Sequence, residues 1–101
     1  MGISTNVAGN IATINMTVRF DFNVQRNFKE AYDPHLSNAA VSAIEVSLAG
    51  VDYLDSSALG MLLMLRERAK VAGKSLKLCK PRASVAQILE IANFAKLFTI
   101  E

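Results

Sequence analysis

From Ala12 to Phe20 the chain alternates. Ala12, Ile14, Met16, Val18 and Phe20 fall on one side, and Thr13, Asn15, Thr17 and Arg19 on the other. Successive strand side chains point to opposite faces, so a period of two predicts a strand with one buried and one wet face. Gly9-Asn10 just upstream is a hairpin dipeptide. It places a short antiparallel partner over residues 3–8. Asn23 then offers a helix N-cap. Val24, Phe28, Ala31 and Tyr32 form a helical stripe, with Gln25, Arg26, Lys29 and Glu30 outward. Asp33-Pro34 is expected to end this helix, because the residue before proline is pushed out of the helical region. Residues 37–43 are rich in small side chains and fit a loop or a short helix equally.

Ile44, Val46 and Leu48 alternate with Glu45, Ser47 and Ala49. A strand covered on both faces would read as a continuous apolar run, so the helices are expected mainly on one face of the sheet. Asp55 is the natural cap of a helix from about Ser56 to Val71, closed by Gly73. The first half of this helix, Ala58 to Leu65, is apolar nearly all round. Ser75 to Cys79 predicts a further strand, with Leu76 and Leu78 on one face. Pro81 stands near the start of a last helix carrying Val85, Ile88, Leu89 and Ala92. Phe94, Leu97, Phe98 and Ile100 anchor the tail. Strand–helix–strand repeats imply parallel neighbours joined by right-handed crossovers. The fold class is therefore α/β: one domain over residues 1–101, with a mixed sheet of four to five strands.

Composition narrows the chemistry. The chain has 101 residues, 51% hydrophobic and 20% charged, an ordinary globular balance. No apolar run approaches the ~20 residues of a membrane helix, and the first ten residues do not read as a signal peptide. Cys79 and His35 are the only cysteine and histidine, which excludes an internal disulfide and a His- or Cys-based metal cluster. Eleven basic against nine acidic residues, net +2, is too balanced for a nucleic-acid binder. No metal, cofactor, nucleic acid or membrane is expected, and a cytoplasmic monomer is the simplest expectation. Ser56, His35 and Asp21 could in principle form a triad, but Ser56 lacks the Gly-x-Ser-x-Gly elbow. His35 is expected exposed in a loop, and Cys79 inert among apolar neighbours. The five glycines form no phosphate-cradling motif. Lys77, Lys80 and Arg82 read as a solvated strand end.

Asp55-Ser56-Ser57 opens a helix directly after a strand and a short loop. Capping explains these residues in part. A phosphoserine in the first helical turn would also be favoured by the helix dipole and the free amides there. Asp55-Ser56-Ser57-Ala58-Leu59-Gly60 resembles the signature of the STAS domain, the anti-anti-sigma factor family. Ala58 stands where the family commonly has glycine. Arg19-Phe20-Asp21-Phe22 resembles the family's Gly-x-Leu/Phe-Asp segment, with Val18 at the glycine, and Gly73 to Cys79 resembles the strand after the signature helix. The resemblance covers essentially the whole chain in the right element order.

It implies a partner-switching protein rather than an enzyme. Such proteins bind an ATP-dependent serine kinase that doubles as an anti-sigma factor. They are released when the kinase phosphorylates the serine after the Asp, and a PP2C-type phosphatase restores them. The resemblance makes Ser56 the phosphoacceptor. Asp21 and Asp55 would engage the kinase and orient Ser56, and Ser57 is the lesser acceptor. The nearly all-apolar turns after Ser56 are either deeply packed or form a partner patch among Leu59, Met61, Leu62, Leu63 and Met64, in which case at least one of them should be exposed. Leu59 and Met61 are the partner-binding candidates. The alternative is a STAS scaffold subunit that is not phosphorylated, as in lipid-transport assemblies.

Overall fold

The computed structural model describes residues 2–17 and 19–101. The predicted hairpin forms as β1 (Ile3–Ala8) and β2 (Ile11–Met16), turning at Gly9 with φ 62°. There follow α1 (Gln25–Leu36), β3 (Ala43–Ser47), α2 (Ser56–Val71), β4 (Ser75–Cys79), α3 (Ala83–Ile91) and β5 (Thr99–Ile100). The sheet order is β1-β2-β3-β4-β5, with β1 antiparallel to β2 and every later pair parallel.

Alternation decides which face is dry. Ala12, Ile14, Met16, Ile44, Val46 and Leu78 turn to one side and are buried under helix residues such as Phe28, Leu62, Leu65 and Leu89. The residues between them, among them Thr13, Glu45 and Lys77, share a row on the other face. There Lys77 Nζ lies 2.6 Å from Glu101 and 3.6 Å from Glu45. This is the one-sided sheet that the alternation predicts.

Several local expectations need correction. β2 stops at Met16, short of Phe20, because β1 ends there: the last bonds across the hairpin run from the Thr17 amide and hydroxyl to the Gly2 carbonyl, at 2.6 and 2.8 Å. Val18, expected within that strand, lies outside the described residues. Asn23 caps nothing. Asp21 instead caps a 3-10 turn at Phe22–Val24, and α1 begins after it. The first helix runs past Pro34 to Leu36. In the last turn a proline removes only one helical bond, and the Lys29–Asp33 ion pair (2.6 Å) supports that turn. His35 is therefore helical and buried, not exposed in a loop. Cys79 faces the polar row rather than apolar neighbours, with its thiol 3.6 Å from Glu45 Oε1. The tail supplies the fifth strand, while Leu97 stays exposed.

α2 spans the expected residues. It closes in a Schellman turn: Gly73 N–H donates to Lys70 O (3.1 Å) and Lys74 N–H to Ala69 O (2.9 Å). Gly73 takes φ +74°, a conformation that glycine adopts without strain.

Candidate functional site

Two loops meet at the end of the sheet: the one leaving β2 and the one leaving β3. Phe20 N–H donates to Tyr53 O at 3.0 Å, and Asp55 N–H donates to Phe20 O at 3.3 Å. These two bonds make a single parallel bridge, Phe20 to Leu54. Both side chains are buried, and the Phe20 ring packs 5.0 Å from Phe28 of α1. The core thus fixes the bridge. The residues that leave it, Asp21 and Asp55, emerge side by side.

Each aspartate is held by the turn it opens. Asp21 Oδ1 accepts from Asn23 N–H at 3.0 Å, and Asp55 Oδ1 accepts from Ala58 N–H at 2.9 Å. Asp55 is thereby the N-cap of α2, as the sequence predicts. Arg19 ties the two loops from outside. Its Nε donates to Asp21 Oδ2 at 3.2 Å, and its guanidinium lies 4.0 Å from the centre of the Tyr53 ring. Sequence reasoning missed Arg19 and Tyr53. Their one signal was position, each two residues before an aspartate of the site.

Ser56 is the first residue of α2, and it is exposed. Ser57 is half-buried and lines a groove of 460 Å³ between α1 and α2, with Phe22, Gln25, Met64 and Arg68 along its walls. The two partner-binding leucine and methionine candidates are less exposed than Leu63 and Met64 of the same helix. Leu59 is half-buried and packs against the core, and Met61 is 7% exposed at the groove floor. The exposed apolar residues of these turns are Leu63 (37%) and Met64 (54%). Phe22, 64% exposed, faces the same groove. In the sequence Phe22 stood out only as the last residue of the segment Arg19-Phe20-Asp21-Phe22. Gly60 lies on this face too, and a methyl group added to it would meet nothing within 4 Å.

Ser56 has no hydrogen bond to an imidazole or ammonium among the described residues. His35 sits near the far end of a helix about 18 Å long, so the triad of Ser56, His35 and Asp21 is not assembled. Among the described residues no group of His, Cys, Asp and Glu could hold a metal ion, and no helix is long and apolar enough to cross a membrane. Cys79 is not primed as a nucleophile, since burial, and then the Glu45 carboxylate, push its thiol pKa up.

A family model described as the Mlab STAS domain matches residues 3–99. A STAS-domain-containing protein of Pseudomonas aeruginosa (strain UCBPP-PA14) is 39% identical over 94 residues, covering 91% of this chain and 89% of its own. A Thermotoga maritima protein described as a candidate anti-sigma factor antagonist superposes with TM-score 0.86 at 17% identity, over 97% of this chain and 84% of that one. The anti-sigma factor antagonist SpoIIAA of Bacillus, in its unphosphorylated form, gives 0.81 at 14% identity, over 98% and 87%. Its phosphorylated form gives 0.74 at 13% identity, over 98% and 90%. At such identities these three structural likenesses show the fold.

Proposed function

The chain belongs to the STAS-domain family, and we propose that it works there as an anti-sigma factor antagonist of a partner-switching system. Unphosphorylated, it binds an ATP-dependent serine kinase that doubles as an anti-sigma factor. Phosphorylated at Ser56, it lets go, and a PP2C-type phosphatase resets it. The switch operates in the cytoplasm, where ATP is available. One observation carries this reading: an exposed serine hydroxyl at the head of α2, beside the aspartates of the Phe20–Leu54 bridge and next to an exposed apolar groove.

The physics of the switch is local. A phosphoryl group on Ser56 adds roughly 1.5 to 2 negative charges. The helix dipole and the free amides of the first turn favour it by up to ~1 kcal/mol, so the fold tolerates it. A partner surface fitted to the neutral hydroxyl does not. One like charge about 5 Å away, at an effective dielectric near 20, opposes binding by about 3 kcal/mol, enough for a hundredfold loss. Asp55 sets one further negative charge next to Ser56, while Asp21 is paired with Arg19. Phe22, Leu63 and Met64 supply the apolar contact in the unphosphorylated complex.

The test is intact mass spectrometry before and after incubation with ATP and the cognate kinase. One added phosphoryl group is expected, absent in Ser56→Ala and removed by the phosphatase. Ser56→Asp should bind the kinase at least tenfold more weakly than Ser56→Ala. Equal binding by the two variants, or phosphorylation that persists in Ser56→Ala, sinks the reading.

The family model's description as a Mlab STAS domain favours a second reading, a scaffold subunit that is not phosphorylated. In that case the chain co-purifies stoichiometrically with a larger assembly, and Ser56→Asp leaves its incorporation unchanged.

A further inference from the structure

The two edges of the sheet are built differently. On the β5 side the edge strand is two residues long, and the Lys77–Glu101 ion pair stands beside it. Short strands and charges protect an edge from pairing with another chain. The other edge is β1. It runs six residues, Ile-Ser-Thr-Asn-Val-Ala, with no charge, proline or glycine, and it pairs only with β2. Its residues 4–8 are all exposed. Among the described residues none of the usual protective devices is present.

The register shows which backbone groups are free. Gly2 O accepts from Thr17 N–H across the hairpin, and Asn10 O turns the other way, accepting from Ala43 N–H of β3. Strand groups alternate in direction, so Ser4, Asn6 and Ala8 bond to β2 while Ile3, Thr5 and Val7 aim their N–H and C=O groups outward. The side chains of these three residues stand on the helix side, opposite Met16, Ile14 and Ala12. Val7 is nonetheless 48% exposed. A groove of 320 Å³ runs between this edge and α1, lined by Ile3, Thr5, Glu30 and Ala31 among others.

We propose that β1 is a self-association edge, where a second copy of this chain adds its own β1 antiparallel to form one continuous sheet across a two-fold axis. The strand's sequence selects that occupant. An antiparallel register centred on Thr5 sets Thr5 against its own copy and Ile3 against Val7, so every outward group finds a partner. The half-exposed Val7 then packs on Ile3 of the other copy, at the mouth of the groove beneath α1. On the other face Ser4 meets Asn6. No like charges oppose one another anywhere along the pairing. The edge lies apart from Ser56 and the α1–α2 groove, so this inference does not rest on the proposed function.

Sedimentation velocity on the full chain, across a concentration series up to about 1 mM, the weak end of specific association, tests it. A monomer–dimer equilibrium is expected. Thr5→Pro removes an outward donor and spares the β1–β2 bonds, so it should shift the protein to monomer while circular dichroism stays unchanged. Val7→Lys should do the same through charge. Thr5→Cys in a Cys79→Ser background should form a disulfide-linked dimer under mild oxidation, since a directly opposed pair lies about 5.5 Å apart between Cα atoms. Ser4→Cys, which does not face its own copy, should cross-link at least tenfold more slowly. A wild type that stays monomeric throughout overturns the proposal. So does a dimer that persists in both Thr5→Pro and Val7→Lys, or equal cross-linking at positions 4 and 5.

Discussion

Ser56 and Asp55 divide the labour at the head of α2. The carboxylate satisfies a backbone amide, and the hydroxyl is left to solvent. Asp55→Ala should therefore destabilise the fold by about 1 kcal/mol, measured by urea unfolding, whereas Ser56→Ala should be near neutral. This part of the site was legible because capping is chemistry between near neighbours in sequence. Arg19 and Tyr53 were not legible, because their stacking exists only once two distant loops are side by side. Cys79 allows a separate test. Its raised thiol pKa predicts slow alkylation by iodoacetamide at about pH 8, since the thiolate is the reactive form. Glu45→Gln removes the negative neighbour while Lys77 stays nearby, so the thiol pKa falls and alkylation should speed up. Above the ordinary thiol value of 9.0 the native state keeps a proton that the unfolded chain releases, so this contribution to stability falls as pH rises through the folded pKa. Lys77, raised above 10.5 chiefly by its hydrogen bond to Glu101, acts in the same direction at higher pH. Thermal melts of wild type and Cys79→Ser should accordingly diverge above about pH 9.

At the scale of elements, α2 shows why the sequence identified a helix but not its orientation. Where nearly every position is apolar, periodicity carries no phase. Ala58, Met61, Leu62, Leu65 and Ala69 turn inward, and the stripe through Gly60, Leu63, Met64 and Val71 turns out. Packing under the sheet makes that choice, so the apolar run alone does not separate Leu63 and Met64, which are exposed, from Met61, which is not. α1 ran past Pro34 for a related reason. The local rule against the residue before proline yields to a buried His35 and a Leu36 packed against the core. Two glycines of α2 and its cap should respond with opposite signs. Gly60→Ala fills open space in a helix interior and should stabilise by about 1 kcal/mol. Gly73→Ala must hold φ +74° and should destabilise by about 1 kcal/mol. Thermal denaturation of the pair checks both. If the partner approaches α2 closely at Gly60, the stabilised Gly60→Ala variant should also bind the kinase more weakly.

At the scale of the whole molecule, strand order and the single dry face were readable because alternation survives in β2 and β3 and helices fall between the strands. β5 was not readable as a strand, since two residues cannot show a period. Nor was the meeting of the loops after β2 and β3, which depends on where the parallel register ends. Their bridge has a consequence in time. The amides of Phe20 and Asp55 are the two donors that clasp one loop to the other, so neither can exchange its hydrogen with solvent unless the loops part. They should act as paired clocks, exchanging at a common rate set by that one opening. A partner seated across both loops should slow the two together by the same factor, whereas one that touches only the α2 side would leave the clocks out of step.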